Sequence, residues 1–380
     1  MEDINISFII PVYNPSETDD YFLECIKSVE AIYHKGDEII VIDDGSNNAE
    51  YIVSACSKYD NIKIIRFEEN RGVSATRNTG INTCINNYYT IIDSDDYITD
   101  AEAFEKIRNQ LCTSEETDMY IFGTTLKVKD ELAHNIGIKN PKDIEDLKLN
   151  LLFSPFASYG SKLQSVGSAW AKIYRKNFTI QNNLLYEEIP HRAEDHVFFL
   201  DYLAANPRIK VIEEYAYFYR TNENSVTHQY NPNMYKMISN TVKSLEKRVD
   251  LNNPKECEAM LYRKVSYIAT AINNVFHIDN KSSLYSKYKA SRDILWSDDN
   301  LDALQSVDFS RYSFGKSGIL LRMLRHDMIL IPTILIEARR KAIISKRWSR
   351  ASMEAIKEIS SKHKATQQNM PLNYAEAIKA

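Results

Sequence analysis

The sequence predicts an α/β protein with a Rossmann-like, mostly parallel sheet flanked by helices and a helical C-terminal extension. Over roughly the first 120 residues, short apolar runs alternate with amphipathic segments, as in successive βαβ units. Beyond about residue 230, apolar residues recur three or four positions apart, which is typical of helices. A weaker, Lys- and Asp-rich pattern between about residues 125 and 165 predicts a surface insertion. We expect two domains, residues 1–230 and a mainly helical region of residues 231–380.

The predicted sheet contains four strands that each end in a polar loop. Pro11 ends the first strand because it has no N–H group to donate to a neighbouring strand. A helix is expected to begin after Gly72 and to end at Cys84. The carboxyl ends of parallel strands lie at one edge of a sheet, and ligands bind in the crevice there. The predicted strands are Ser7–Ile10, Glu38–Ile42, Ile62–Ile65 and Tyr89–Ile92.

Composition argues against several classes of protein. The chain has 380 residues, a net charge of −5 and a pI near 6.0, without the broad basic surface that binds nucleic acid. Its five cysteines are scattered and form no C-x-x-C pair, which favours a reducing cytoplasm over a zinc site or a disulfide framework. The acidic start Met1-Glu2-Asp3 predicts no secretory signal, and no apolar run reaches the roughly 18 residues of a membrane-spanning helix.

Three aspartates, Asp93, Asp95 and Asp96, follow the fourth predicted strand. Carboxylates so close together raise one another's pKa unless a positive charge lies among them. Their hard oxygen atoms suit Mg²⁺ or Mn²⁺, and a metal ion held by two or three carboxylates keeps positions open for phosphate oxygens. The alternative is a polar turn, since Asp and Ser are common in turns and helix caps.

Four motifs together resemble, in order and spacing, the family 2 glycosyltransferases of the bacterial surface-polysaccharide type. They are Ile10–Asn14, Val41–Ser46, Asn70–Asn78 and Asp93–Asp96, and the resemblance covers roughly residues 5–230. It implies a GT-A fold, a nucleotide-diphosphate sugar as donor and Mn²⁺ or Mg²⁺ as cofactor.

The first two motifs are expected, by the same resemblance, to bind the nucleotide. The backbone after the first strand would flank the base, through Pro11, Val12, Tyr13 and Asn14. Asp44 would accept a hydrogen bond from the imide N–H of uracil, a donor that cytosine lacks, and Asp43 would support the loop. The alternative is a simple turn in which Ser46 caps a helix.

The third motif is expected to contact phosphate. Gly72 allows close approach of the backbone, and the helix after it presents free N–H groups and the positive end of its dipole. Arg71 and Arg77 are the cations expected to balance the phosphates or the aspartates. A buried salt bridge from Arg77 to Asp93 or Asp95 is the alternative, and it is compatible with that role.

In the fourth motif, the resemblance assigns Asp95 to the ribose of the donor and Asp96, with Asp95, to the metal ion. Asp93 would lie behind them. The metal ion would bridge the two phosphates and neutralise charge on the leaving nucleotide. Negative charge develops on this diphosphate during the reaction, so stabilisation there lowers the barrier.

The segment Ala193–His196 resembles the Glu-Asp motif of inverting members of the family. Asp195 would then deprotonate the acceptor hydroxyl as it attacks the anomeric carbon. A nearby Glu194 and an apolar helix behind it would raise the pKa of Asp195. The alternative is that both are first-turn acids that the helix dipole favours.

Two further segments are expected at the site because of the resemblance. Trp170 and Lys172 match a Trp-x-Lys segment that borders the sugar and the acceptor, although Trp170 could equally be a core residue. Arg220 follows Tyr217–Tyr219 in a segment resembling one that closes over the diphosphate. It would pair with phosphate, or else lie unused at a strand edge.

Residues 311–350 carry ten Lys or Arg and two acids in a chain that is acidic overall. Within them, Met328–Ile336 is apolar, too short to span a bilayer and broken by Pro332. We expect a cytoplasmic protein with peripheral contact to the inner face of the cell membrane through residues 311–350. The alternatives are a buried helix with a solvated basic edge, or a homodimer surface.

Together these features predict an inverting, metal-dependent glycosyltransferase. A UDP-sugar is the expected donor, and the acceptor is a hydroxyl of a glycan or lipid-linked molecule in surface polysaccharide biosynthesis. A sugar nucleotidyltransferase would instead need a Gly-rich, basic loop after the first strand, unlike Pro11–Pro15. A catalytically silent nucleotide-binding scaffold is the other alternative, and the presence of Asp44, Asp95, Asp96 and Asp195 argues against it.

Overall fold

The computed structural model describes most of the chain up to residue 342. It covers residues 4–111, 117–128, 131–135, 144–156, 167–220, 229–297, 299–310, 317–326, 329–330, 333–338 and 340–342. The chain divides into two compact units. The first comprises Met1–His228, Asn233–Tyr267 and Ser306–Ser313, and the second comprises Gln229–Pro232, Ile268–Gln305 and Phe314–Ala380.

In the described part of the chain, nine strands form one sheet. They are β1 (Ile6–Val12), β2 (Glu38–Asp43), β3 (Ile62–Arg66), β4 (Tyr88–Ile91), β5 (Tyr97–Ile98), β6 (Met119–Val128), β7 (Glu131–Asn135), β8 (Lys172–Arg175) and β9 (Ile209–Tyr219). The order is β3-β2-β1-β4-β8-β6-β9-β5, and β7 pairs with β6. The first four strands form close to where the sequence predicts them and pair in parallel. The expectation that Pro11 ends the first strand is wrong, because β1 continues through Pro11 to Val12 and pairs with β2 along that length. Strand β8 is antiparallel to β4 and β6, so the sheet as a whole is mixed.

The described helices lie between these strands along the chain, and after β9 only helices follow among the described elements. They are α1 (Tyr21–Glu30), α2 (Ala49–Cys56), α3 (Val73–Thr83), α4 (Ala101–Leu111), α5 (Ile144–Phe153), α6 (Lys176–Gln181), α7 (Glu194–Ala204), α8 (Met234–Glu246), α9 (Pro254–Val275), α10 (Leu284–Leu295), α11 (Asn300–Ser306) and α12 (Ser317–Arg325), with a 3₁₀ helix at Ser154–Phe156. Helix α3 is the one predicted after Gly72. Gly72 has a φ of 89°, which a glycine adopts without strain.

Strand β1 is buried along its whole length, since almost every residue in it is apolar. Successive side chains of a strand point to opposite faces of the sheet. On one face, Phe8 packs against Phe104 of α4, with ring centroids 5.8 Å apart. On the other, Ile9 meets Gly80 of α3 so closely that a Cβ at this glycine would lie 2.3 Å from the isoleucine side chain. Helices therefore cover both faces, and the strand ends are left for the site.

The prediction of a surface insertion between residues 125 and 165 is wrong for the described part of that segment. Strand β6 continues to Val128 within the sheet, and β7 pairs with it. All four leucines of helix α5 are buried. Leu147, Leu151 and Leu152 are 1% exposed, and Leu149 is 4% exposed. The charged residues before and among these leucines obscure the helical pattern in the sequence.

The second unit contains α10, α11 for most of its length and α12. Its interior includes a charged group, in which Glu337 accepts from Lys287 at 2.8 Å and from Arg340 at 2.9 Å. Arg340 and then Lys287 lower the pKa of Glu337 to about 2. Among the described residues, no helix has the length and apolar character needed to cross a membrane. Much of the 311–350 segment lies outside the described residues.

Candidate active site

The parallel register brings the ends of three strands together. Val12 of β1 lies opposite Asp43 of β2, which lies opposite Arg66 of β3. The backbone N–H of Asp44 donates to the carbonyl of Val12 at 2.9 Å, which joins the loops after β1 and β2. The first two sequence motifs are therefore neighbours at the sheet edge, as predicted.

Asp43 supports its loop, as the resemblance implies. One carboxylate oxygen accepts from the Ser46 N–H at 2.8 Å, and the other pairs with the guanidinium of Arg66. Arg66 also donates to the carbonyl of Ser46 at 2.9 Å. The turn after β2 is thus fixed by a cation from the end of β3.

Asp44 is buried and holds the loop that precedes α3. Its carboxylate accepts from the N–H of Arg71 at 2.7 Å, from the N–H of Gly72 at 2.9 Å and from the side-chain amide of Asn70 at 2.9 Å. Burial raises the pKa of Asp44, although the bonds from the Arg71 and Gly72 amides oppose the shift. This role in the loop was not predicted from the sequence. The expected bond to uracil would have to share the carboxylate with these donors.

The segment expected to flank the base leaves the sheet at Val12. Pro11 and Val12 are buried, whereas the ring of Tyr13 is half exposed at the sheet edge. Asn14 has a φ of 44°, donates its N–H to the Ser46 hydroxyl at 2.9 Å and accepts from the Asn47 N–H at 2.7 Å. These bonds leave the aromatic face of Tyr13 available to a ligand.

Asp93, Asp95 and Asp96, called here the acid cluster, lie between β4 and β5. Asp96 is buried, and its two oxygens accept from the Tyr217 hydroxyl at 2.6 Å and from the Arg220 N–H at 2.8 Å. The Tyr217 hydroxyl in turn accepts from the Asp93 N–H at 3.2 Å. Tyr217 of β9 and the backbone of Arg220, directly after β9, therefore hold Asp96 through neutral donors.

Burial and mutual repulsion act on the acid cluster together. Burial, and then the charge of Asp93, raises the pKa of Asp95 to about 6. The pKa of Asp96 is also raised, mainly by burial and then by the charges of Asp93 and Asp95. Neither Asp95 nor Asp96 forms an ion pair with a cationic side chain in the described part of the chain. Both carboxylates would be stabilised by an added cation.

The donor set fits a divalent cation in part. In the described ranges, no three His, Cys, Asp or Glu side chains converge as ligands for one metal ion. Mg²⁺ in phosphate-binding enzymes typically uses one or two carboxylates and takes its other ligands from substrate phosphates and water. Asp95 and Asp96 are sufficient for that arrangement, because each ionised carboxylate has about four acceptor sites.

Arg220 closes one side of the acid cluster. Its Nε donates to the carbonyl of Asp95 at 2.7 Å, and its guanidinium pairs with Glu24 at 2.5 Å and lies 4.0 Å from the ring centroid of Tyr21. The side chain is therefore more than a free strand-edge arginine, because it holds the backbone of the acid cluster against α1.

Glu194 and Asp195, called here the acid pair, lie in the first turn of α7. One guanidinium nitrogen of Arg77 contacts Asp195 at 2.6 Å and Glu194 at 3.0 Å, and the other contacts Asp93 at 3.4 Å. Arg77 is buried, and its guanidinium carbon lies over the ring of Tyr186, 5.3 Å from the ring centroid. The predicted salt bridge to Asp93 is present. The same cation also joins the acid pair to the acid cluster, so the two belong to one site.

Asp195 has the protonation behaviour of a base that works near neutral pH. Burial, with smaller contributions from the charges of Glu194 and Asp93, raises the pKa of Asp195 to about 7 in spite of the opposing charge of Arg77. A carboxylate with a pKa near the working pH accepts protons more effectively than an ordinary aspartate does. Asp195 can therefore accept a proton from a hydroxyl at this edge of the sheet.

Trp170 lies across two tyrosines of β9. Its ring stacks on Tyr217 and Tyr219, with both centroid distances 5.1 Å. Because Tyr217 also contacts Asp96, this aromatic wall adjoins the acid cluster. Lys172 lies in the interior, where its Nζ donates to the carbonyls of Ser168 at 2.7 Å and Trp170 at 3.2 Å. Burial lowers the pKa of Lys172 to about 7.

The structure does not bring Arg71 to the acid cluster. Its guanidinium pairs with Glu188 at 3.0 Å and lies 4.7 Å from the ring centroid of Phe67, with half of the side chain exposed. The N–H of Arg71 nevertheless belongs to the loop that Asp44 holds. Its contribution in this structure comes from the backbone.

Four residues at or near the site were missed as functional candidates: Arg66, Asn78, Tyr186 and Glu188. Asn78 follows Arg77 directly and exchanges two hydrogen bonds with the backbone of Tyr186. Arg66 could have been found from the parallel register, which places it opposite Asp43. The other two belong to a loop whose course no local pattern reveals.

Comparisons with known proteins identify relatives of this chain in sequence and in fold. The sequence model described as "Glycosyl transferase family 2" matches residues 7–199. The uncharacterized glycosyltransferase EpsJ of Bacillus subtilis (strain 168) is 29% identical over 233 residues, which cover 58% of this chain and 62% of that protein. The cholesterol galactosyltransferase of Borreliella burgdorferi is 30% identical over 282 residues, or 70% and 74% of the two chains.

The solved structure of S. aureus TarS 1–349 in complex with UDP is similar in fold, with a TM-score of 0.55 at 19% identity over 89% of this chain and 92% of that one. A second structure of the same protein, in complex with UDP-GlcNAc, gives the same TM-score. The architecture is the GT-A fold of glycosyltransferases, as expected. The chain belongs to glycosyltransferase family 2.

Proposed function

We propose that this protein is an inverting glycosyltransferase that uses a UDP-sugar, with a hydroxyl of a glycan or lipid-linked acceptor as nucleophile. The observation that carries the proposal is the contact of one buried guanidinium, that of Arg77, with both Asp195 and Asp93. The contact supports the proposal because it joins Asp195, whose pKa is about 7, to Asp93 of the acid cluster, next to the carboxylates proposed to hold a metal–diphosphate group. Complexes of S. aureus TarS with UDP and UDP-GlcNAc support the choice of donor.

In the proposed mechanism, the chain positions the donor and removes one proton. Tyr13 and the loop held by Asp44 contact the nucleotide, and Asp95 and Asp96 would hold Mn²⁺ or Mg²⁺, which would supply charge neutralisation for the diphosphate. Asp195 accepts the proton of the acceptor hydroxyl as it attacks the anomeric carbon from the side opposite the leaving UDP. Trp170 and Tyr219 provide an aromatic surface for a sugar ring.

The donor class can be tested by calorimetric titration of UDP, GDP, dTDP and CDP into the purified protein, with and without Mn²⁺. We expect Mn²⁺-dependent binding of UDP in preference to the other three nucleotides. Asp96→Asn should abolish the dependence on Mn²⁺, whereas Asp60→Asn, an exposed control, should leave it unchanged. Absence of binding for all four nucleotides would contradict the proposal and favour a scaffold role.

Stereochemistry and acceptor class need a separate experiment. The protein would be incubated separately with UDP-GlcNAc, UDP-glucose and UDP-galactose, and the sugar released from each would be followed by proton NMR at early times. The released sugar should have the anomeric configuration opposite to that of the donor. Retention would contradict the assignment of Asp195 as base. Transfer to lipid-linked saccharides, compared with free saccharides, would then define the acceptor for a role in surface polysaccharide synthesis.

For the second unit we propose contact with a membrane surface. The described residues of the 311–350 segment include exposed Leu330, Ile334 and Leu335, and the segment carries ten Lys or Arg in its sequence, a combination that favours anionic bilayers. Co-sedimentation with phosphatidylglycerol vesicles should be lost in Leu335→Glu and kept in Leu251→Glu, a control in the first unit at a leucine that is even more exposed to solvent. Sedimentation velocity without vesicles tests the alternative that this surface forms a homodimer. If the protein were a dimer that Leu335→Glu dissociates, membrane contact would be contradicted as the role of this surface.

A further inference from the structure

The start of α7, which carries the acid pair, is not fixed by its own cap. Ala193 occupies the N-cap position, and its side chain cannot accept a hydrogen bond from the first turn. An N-cap with a polar side chain would normally satisfy one of the free N–H groups there. Besides the direct contact with Arg77, the position of Asp195 therefore depends on how the preceding segment, Tyr186–Arg192, is held.

Helix α3 holds one end of that segment. The side chain of Asn78 donates to the carbonyl of Tyr186 at 2.9 Å and accepts from its N–H at 2.8 Å. Asn78 also donates to Glu188 at 3.1 Å. Because Arg77 is the preceding residue, two consecutive residues of α3 hold the segment and the acid pair to which it leads.

Helix α8 holds the other end, within the same compact unit. The Thr241 hydroxyl accepts from the N–H of Arg192 at 2.9 Å, and Asn240 donates to the carbonyl of Pro190 at 2.9 Å. Ser244 donates to Glu187 at 2.6 Å. Thr241 is completely buried, so water cannot replace its hydroxyl without a rearrangement.

The bond to Arg192 is the one nearest the acid pair. Only Ala193 separates Arg192 from Glu194, so a displacement of the Arg192 backbone passes almost directly to the first turn of α7. Thr241 is also correctly oriented to accept, because its hydroxyl proton is donated to the carbonyl of Met237 at 2.9 Å. This leaves the lone pairs of the Thr241 oxygen for the Arg192 N–H.

We propose that Thr241 of α8 is a positioning residue for Asp195, acting through the N–H of Arg192, with Asn78 of α3 as its counterpart at the other end of the segment. The inference rests on the proposed role of Asp195 as the base. Helix α8, which lies beyond the region resembling the family, thereby becomes part of the catalytic apparatus. An error of about 1 Å in the placement of a reacting group can cost on the order of 100-fold in rate.

Two substitutions at position 241 separate positioning from packing. Thr241→Val keeps the shape of the side chain and removes the hydroxyl, whereas Thr241→Ser keeps the hydroxyl and removes a methyl group. We expect Thr241→Val to reduce kcat for UDP release from UDP-GlcNAc in Mn²⁺ by about 10- to 100-fold, with KM and UDP affinity within about twofold of wild type. Thr241→Ser should restore most of the rate. Thr83→Ala, which removes a hydroxyl bonded only within α3 among the described contacts, serves as a control.

A second readout does not depend on turnover. Amide hydrogen exchange of the peptide spanning residues 186–195 should be faster in Thr241→Val than in the wild type or Thr241→Ser, because the Arg192 N–H has lost its acceptor. Unchanged exchange in Thr241→Val would overturn the proposal. So would equal losses of kcat in Thr241→Val and Thr241→Ser, which would indicate packing, or a parallel loss of UDP affinity.

Failure of the proposed function gives a different result. If Asp195→Asn released UDP at the wild-type rate, the base assignment would be wrong whatever the position-241 variants do. If Asp195→Asn were inactive while Thr241→Val matched the wild type in both rate and exchange, the base would stand and the positioning role of Thr241 would be refuted.

Discussion

The acid pair and the acid cluster lie in one site but are compensated in different ways. The acid pair shares the guanidinium of Arg77, a cation that the chain supplies and buries with it. In the acid cluster, the oxygens of Asp96 are held by a hydroxyl and a backbone amide, which satisfy hydrogen bonding without cancelling charge. Asp95 and Asp96 have no ion pair with any cation among the described side chains.

This difference separates the two roles. The pKa of Asp195 lies near 7 with its compensating cation already in place, so the residue can take up and release a proton. The raised pKa values of Asp95 and Asp96 reflect burial without a cation. An arriving metal ion would lower these values and be held in return. The acid pair is suited to chemistry, and the acid cluster to binding.

The largest expected effect is on the acid pair. Asp195→Asn should reduce sugar transfer by about 10²- to 10⁴-fold, because the acceptor hydroxyl loses its base while the shape of the site is preserved. UDP affinity, measured by calorimetry in Mn²⁺, should stay within about twofold of wild type, since the acid cluster is untouched. A matching loss of UDP affinity would show that the two groups of acids do not have separate roles.

Removal of the shared cation should cost stability. Arg77→Met leaves the acid pair and Asp93 without their buried counter-charge, and we expect the free energy of unfolding in urea to fall by about 3–5 kcal/mol. Arg71→Met is the control, because the ion pair of Arg71 with Glu188 is half exposed and should contribute about 0–1 kcal/mol. Equal losses in the two variants would mean that Arg77 is not the counter-ion on which the acid pair depends.

The metal dependence of donor binding should reside in the acid cluster. Coupling between two ligands typically amounts to about 5- to 150-fold in affinity. Asp96→Asn should lose the increase in UDP affinity that Mn²⁺ gives, while its affinity without Mn²⁺ stays close to that of the wild type. Titration of UDP at several Mn²⁺ concentrations measures this coupling. If Asp96→Asn kept the full increase, another set of ligands would have to hold the metal ion.

The parts of this site that the sequence predicts are those coded locally. The strands that end at Asp43 and before Asp93 are short apolar runs, and their parallel pairing follows from the helices between them. The Glu-Asp motif was likewise placed at the start of a helix, and α7 begins at Glu194. These features depend on a few neighbouring residues, so a local pattern is sufficient.

Contacts between distant segments were harder to foresee. Arg77 meets Asp195 across 118 positions of sequence, and Tyr217 meets Asp96 across 121. The sequence showed that Arg77, Asp96 and Asp195 carry charge, but it did not show which partner each of them contacts. The choice depends on how β8 and β9 enter the sheet, which is set by packing over the whole domain. Helix α5 was missed for a related reason, since the core that buries it is not apparent from its own charged sequence.

The smallest expected effect concerns pH and the second member of the acid pair. The base must be deprotonated to act, so kcat/KM should rise with pH and level off above the pKa of Asp195, about 7. Glu194→Gln removes a like charge that raises this pKa and leaves Arg77 to pair with Asp195. The rising limb of the pH profile should therefore move to lower pH, with a modest decrease in the plateau rate because the base is weaker. A limb that stayed in place or moved to higher pH would show that Arg77, and not the balance within the acid pair, sets the protonation of the base.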